Sequence, residues 1–136
     1  MLAILDAGPL YAAVDTSDQD HDSCLSTLRR GDLQFIIPAL VIAEVAYLVA
    51  GRLGSVAESA FVRGLQTFDV EAPVAEDWAR IGDLIERYAN FPLGAADASV
   101  IALAERVGTD LLITLDQRHF RAVRPLHVPA FRLLPE

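Results

Sequence analysis

Lysine is missing altogether: all 11 basic residues of this 136-residue chain are arginines. That absence removes the phosphate-binding lysine of P-loop nucleotide triphosphatases. It also removes the lysine that receiver domains and haloacid-dehalogenase-like phosphatases set beside their acidic Mg²⁺ pockets. The single cysteine, Cys24, excludes an internal disulfide and any cysteine metal cluster, and its place beside Leu25 and Leu28 is that of a packing residue. Basic charge is scarce as a whole, with a formal net charge of −8, so a broad surface for non-specific nucleic-acid binding is not expected and any such contact must be local. The longest apolar run, Phe35 to Ala50, is interrupted by Pro38 and Glu44 and falls short of the about 20 residues a membrane span needs. The first residues, MLAILDAG, carry no basic region and reach an acid at once, unlike a signal peptide. A cytoplasmic protein with no membrane association is expected.

What is present is a strongly apolar chain. With 53% hydrophobic and 22% charged residues and a mean hydropathy of +0.35, it is far from the disordered class, and residues 1–136 are expected to form one domain. Four carboxylates, Asp6, Glu44, Asp97 and Asp116, each stand as the only charge in such a stretch: LAILDAGPL, FIIPALVIAEVAYLVA, LGAADASVIALA and LLITLD. An ionised carboxylate among apolar neighbours loses hydration worth several kcal/mol unless something pairs it. If the four share a pocket about 5 Å across, each like-charged pair costs roughly 3 kcal/mol at an effective dielectric of ~20. Such a cluster binds a cation or takes up protons. All-oxygen ligation suits Mg²⁺ or Mn²⁺, the usual equipment for cutting or transferring phosphate esters. The alternative is four separate structural acids, Asp97 capping a helix and the others satisfied by backbone amides.

Periodicity and punctuation predict an α/β fold. Leu2 to Leu5 reads as a buried strand with Asp6 at its end, and Gly8-Pro9 opens a short helix to about Val14. A polar connection, Asp15 to Asp22, leads to a second helix closed by Arg29, Arg30 and Gly31. Phe35 to Ile37 is a strand, followed after Pro38 by a helix over Ala39 to Gly51 that is apolar on nearly every side and therefore expected to be central. A helix over Val56 to Leu65 and an edge strand at Phe68 to Val70 come next. Val74, Trp78, Ile81, Ile85 and Tyr88 recur at helical spacing, with Glu76, Asp77, Arg80, Asp83, Glu86 and Arg87 on a face expected to be solvated. Gly94 to Val107 is a helix ended by Gly108, Leu111 to Leu115 is a strand ending at Asp116, and Phe131 to Leu134 closes the sheet. Helix, glycine, then apolar strand occurs twice, which is how βα units of a parallel sheet are punctuated. Asp6 and Asp116 then fall beyond carboxyl ends of strands, where open parallel sheets gather ligands. Tyr11, Tyr47 and Trp78 lie at core spacing and are expected to pack.

In the order and spacing of Asp6 in LAILDAG, Glu44 in PALVIAEVAYLV, Asp97 in LGAADASVIALAERVG, and Thr114, Asp116 and Phe120 in ITLDQRHF, the whole chain resembles the PIN-domain family, and within it the VapC toxins of bacterial toxin–antitoxin pairs. The resemblance implies a single PIN-like α/β domain with a central parallel sheet flanked by helices. It implies a Mg²⁺- or Mn²⁺-dependent endoribonuclease in which Asp6, Glu44, Asp97 and Asp116 hold one or two metals, directly or through water. The runner-up is a PIN-like module that binds RNA or protein without cutting, although such a module has no need of four clustered acids. Gly8 departs from the small polar residue that many relatives carry there. Thr114, two residues before Asp116, points to the same side of a strand and either orients water or phosphate or is a satisfied strand threonine. Arg118, Arg121 and Arg124 form the one dense basic run, either gripping RNA phosphates or lining a solvated loop. His119 is not needed as a general base and is expected to be a surface or RNA contact. Implied partners are RNA, a small VapB-like antitoxin whose carboxyl-terminal segment covers the site, and a second copy of the chain.

Overall fold

A computed structural model describes all of residues 1–136. The sheet is built from five parallel strands, β1 (Leu2–Leu5), β2 (Gln34–Pro38), β3 (Asp69–Glu71), β4 (Leu111–Ile113) and β5 (Arg132–Leu134), in the order β3-β2-β1-β4-β5. The chain steps outward from β1 to β2 and β3, then returns to the other side of β1 for β4 and β5. That reversal makes the crevice beyond β1 and β4 the topological switch point of the sheet. Leu5 lies opposite Ile113 in the register of β1 and β4, and the Asp6 amide donates to the Ile113 carbonyl at 2.9 Å. Asp6 and Thr114 therefore leave the sheet side by side.

The helices are α1 (Ala7–Val14), α2 (His21–Leu28), α3 (Ala39–Leu53), α4 (Ser55–Gly64), α5 (Ala75–Arg87), α6 (Ala95–Val107) and α7 (Gln117–Ala122), with a 3₁₀ turn at Leu65–Thr67. The α/β class and the central parallel sheet follow the sequence expectation. The expected central helix is a different one. In α3 only Val41, Val45 and Val49 are buried, a stripe one residue wide, whereas α6 is buried continuously from Ala98 to Ala104. Small side chains at Ala98, Ser99, Ala102 and Ala104 let α6 lie close against its neighbours, and Gly108 ends it at a left-handed φ of 79° that a β-carbon would disfavour. Each fully buried Val, Leu or Ile here contributes roughly 1.5–3 kcal/mol.

Three further side chains depart from expectation. Tyr47 is 80% exposed and Trp78 53% exposed, so neither packs in the core, while Tyr11 does. In α5 the inward face is Asp77, Ile81 and Leu84, rotated from the Val74, Trp78 and Ile85 stripe. Asp77 is buried rather than solvated because its Oδ2 accepts from the Val74 amide at 3.0 Å and from Arg106 Nε at 2.9 Å. It closes the first turn of α5 and ties it to α6. A second link joins the same helices: Arg80 donates to both carboxylate oxygens of Glu105 at 2.7 and 2.9 Å, and Glu105 also accepts the Leu126 amide at 2.8 Å. Replacing Glu105 with alanine is expected to lower stability by about 1–2 kcal/mol in urea denaturation, since the half-buried guanidinium and an amide both lose their partner.

Candidate metal centre

Asp6 follows β1 directly and occupies the N-cap position of α1, but its side chain makes no cap bond. The residue is only 5% exposed. Oδ2 accepts the Thr114 hydroxyl at 2.8 Å, and that same hydroxyl accepts the Asp116 amide at 3.0 Å. Thr114, fully buried, thus joins the two strand ends that carry acids. The expected strand over Leu111 to Leu115 stops at Ile113, because Asp116 opens α7, which was not expected. Asp116 caps that short helix by accepting the His119 amide. Asp97 sits in the first turn of α6 and Glu44 in the second turn of α3. Two helices and two strand ends therefore deliver one carboxylate each.

The four acids line one open cleft of about 430 Å³, together with Ala7, Gly8 and Leu115. No arginine or histidine lines it. The electrostatics record that deficit. Burial pushes the Asp6 carboxyl up to about 6; the Ala7 amide and Thr114 oppose the rise, and Asp97 and Glu44 add to it. Glu44 is exposed overall, and partial desolvation at the cleft raises it, with Asp97 as the second cause. Asp97 is raised by burial, lowered by the Gly94 amide, then raised by Asp116 and lowered by His119. Asp97 is paired in this repulsion with each of the other three acids.

This donor set fits a hard divalent cation, being all carboxylate oxygen with no competing cationic side chain. No three of the acids are drawn together closely enough to ligate one ion by themselves. The fit is therefore of the kind Mg²⁺ prefers, one or two carboxylates with retained water completing the octahedron. At Gly8, a β-carbon would meet the Leu115 side chain at 3.4 Å, an ordinary contact at the cleft wall. Departure from a polar residue here removes a side chain from the cleft without opening a packing defect.

The expected basic run lies outside the cleft. Arg118 and Arg121 are on α7 and Arg124 just beyond it, all exposed, and none is paired with a carboxylate. Arg118 Cζ stands 5.1 Å above the Phe91 ring. His119 is not a free surface residue: Nδ1 lies 2.8 Å from Asp116 Oδ1. The reading from sequence missed this bond, although an Asp followed three residues later by His is the spacing of a capped first turn. Cys24 is buried, and burial, then Asp20 and Asp18, push its thiol up to about 11, in keeping with a packing role.

Comparison with known proteins resolves the family. The PIN domain model matches residues 3–125. The chain belongs to the PIN-domain family. It is 34% identical over 137 residues to Ribonuclease VapC26 of Mycobacterium tuberculosis (strain ATCC 25618 / H37Rv), covering 97% of this chain and 99% of that protein. Among solved structures, this PIN domain superposes on Mycobacterium tuberculosis VapC20, described as a sarcin-ricin loop cleaving toxin. The TM-score is 0.74 at 18% identity, over 81% of this chain and 86% of the other. It also superposes on VapBC2 from Rickettsia felis bound to a DNA fragment from their promoter, with a TM-score of 0.72 at 17% identity, over 99% and 100% of the two chains. These structural likenesses are likenesses of PIN fold. No helix is long and apolar enough to cross a membrane.

Proposed function

We propose that the protein is a Mg²⁺- or Mn²⁺-dependent endoribonuclease acting as the toxin of a toxin–antitoxin pair. The observation that carries this reading is the cleft itself: four carboxylates at the switch point of the sheet with no cationic side chain among them. Asp6, Glu44, Asp97 and Asp116 hold one or two cations, directly or through water. A divalent cation bound there lowers the pKa of a coordinated water and neutralises charge at the scissile phosphate. Thr114 keeps the buried Asp6 carboxylate oriented and ionisable by donating to Oδ2. Asp97, near the other three acids, sets the spacing of negative charge around the cation. Arg118, Arg121 and Arg124 contact RNA phosphates beside the cleft, their guanidinium groups being free of acidic partners.

The relative named Ribonuclease VapC26 supports the reaction class, and the VapBC2 complex among the fold neighbours supports an antitoxin partner. An acidic cleft without its own cation is complementary to an arginine carried by such an antitoxin. A second copy of the chain completes the proposed assembly, and the protein acts in the cytoplasm.

Purified protein incubated with end-labelled RNA is expected to cleave it with Mg²⁺ or Mn²⁺, to stop with EDTA, and to resume when metal is restored. Cleavage indifferent to chelation would overturn the mechanism; tight RNA binding with no cleavage in any divalent metal would favour the binding module. Arg118→Ala and Arg121→Ala are expected to raise KM with kcat little changed, and each to reduce the salt dependence of RNA affinity by a slope of about 1.

A further inference from the structure

Two side chains outside the cleft are bonded to its carboxylates: Thr114 to Asp6 and His119 to Asp116. The second bond has no place in the chemistry described so far. We infer that His119 is a positioning residue that fixes the plane of the Asp116 carboxylate and reserves its Oδ2 for the cation or its water. The inference rests on the reading of the cleft as a metal site and deepens it.

The geometry is specific. The His119 amide reaches Asp116 Oδ1 at 3.3 Å and the imidazole Nδ1 reaches the same oxygen at 2.8 Å. Both bonds therefore fall on Oδ1, and Oδ2 has no partner in the protein. Asp116 is the acid that needs such help. Its side chain is 40% exposed, the terminal torsion of an aspartate is broad and nearly two-fold, and a single long capping bond would leave the carboxylate free to swing. A second donor on the same oxygen narrows that torsion and holds the carboxylate in one plane. An ionised carboxylate only accepts, so a neutral His119 ring must carry its proton on Nδ1.

The imidazole is itself held. Its ring centre is 4.5 Å from that of Phe91, tilted by 44°, and Arg118 lies over the Phe91 ring at 5.1 Å. Phe91 belongs to the loop that leads from α5 into Gly94, the N-cap of α6. The wall behind His119 is thus close in the chain to the first turn of α6, which carries Asp97. Partners that orient groups at a metal in this way typically contribute 10–100-fold to metal affinity.

The test is a Mn²⁺ titration of the metal-free protein without RNA, following the free ion by electron paramagnetic resonance. His119→Phe keeps a ring against Phe91 but has no donor, and His119→Asn keeps a donor near the position of Nδ1. The phenylalanine variant is expected to bind Mn²⁺ on the order of 10-fold more weakly, the asparagine variant to recover most of that loss, and His119→Phe to cost nothing further in an Asp116→Asn background. In parallel, ¹⁵N NMR of the metal-free wild type is expected to show the Nδ1–H tautomer, lost in Asp116→Asn. Unchanged Mn²⁺ affinity in a folded His119→Phe, or an Nε2–H tautomer in the wild type, overturns the positioning role while leaving the metal site intact. A wild type that binds no Mn²⁺ overturns both. If His119→Phe does not fold, His119→Leu, which also lacks a donor, takes its place in the titration beside the tautomer.

Discussion

Replacing Asp6 with asparagine is expected to cut RNA cleavage by about three orders of magnitude and, in metal-free buffer near neutral pH, to make the protein more stable. Both effects follow from one carboxylate. Loss of a metal-holding charge removes several kcal/mol of transition-state stabilisation, which corresponds to a rate loss on the order of 10³-fold. Stability moves the other way because burial raises this carboxyl from 3.8 to about 6. Between those values the native state holds a proton that the unfolded chain has released, so stability falls as pH rises through that window. By pH 7 the loss amounts to about 3 kcal/mol. The asparagine side chain carries no charge and escapes this loss, while its amide oxygen can still accept the Thr114 hydroxyl. Urea denaturation with EDTA should therefore give similar midpoints for the two proteins below about pH 4 and a higher midpoint for the variant above about pH 6, the bounds of that titration. Mg²⁺ or Mn²⁺ at about 1,000 times its Kd should reverse the order, since it stabilises the wild type by about 4.1 kcal/mol. Equal stability at neutral pH, with or without metal, would contradict the account of Asp6.

The second large effect is expected at Thr114. Threonine to valine preserves shape but deletes a fully buried hydroxyl that donates to Asp6 Oδ2 and accepts the Asp116 amide. Each group left unpaired costs about 1–3 kcal/mol. The Asp6 carboxyl also loses one of the two influences that hold it down, so its ionised, metal-holding form becomes harder to reach. Cleavage at pH 7 is expected to fall about 10–100-fold, with part of the loss recovered at higher pH and Thr114→Ser close to wild type. Measured kcat against pH separates this from simple unfolding, because destabilisation alone would not move the acidic limb of the profile upward. A Thr114→Val profile superimposable on that of the wild type would contradict it.

Much of this site was legible in the chain because its chemistry is expensive. Asp6, Glu44, Asp97 and Asp116 each interrupt apolar sequence, and only a shared cation site or a set of backbone bonds explains such placement four times. The helix–glycine–strand punctuation before β2 and β4 gave away the parallel sheet, and with it the ends of β1 and β4. What stayed hidden depends on contacts distant in sequence. Asp77 looked like a solvated residue because Arg106 and the closing of α5 are invisible locally. Tyr47 and Trp78 lie on helices whose apolar positions outnumber those a buried stripe can hold, so periodicity alone did not say which stripe turns inward. Helix α7 is six residues long and polar, too short for any periodic signal, and its cap is a residue already claimed as a ligand. The Asp116–His119 spacing is a local signal of a capped turn, but that the ring itself turns back onto Asp116 depends on its contact with Phe91, far along the chain.

The central claim is that the cleft between Asp6, Glu44, Asp97 and Asp116 is where a divalent cation resides. Crystals soaked in Mn²⁺ and measured at the manganese absorption edge test it directly. The account predicts an anomalous peak within that cleft, flanked by carboxylate oxygens of Asp6 and Asp97 or by water bonded to them, and no such peak in Asp97→Asn crystals treated alike. Manganese bound only elsewhere on the surface, with the cleft vacant, would contradict it.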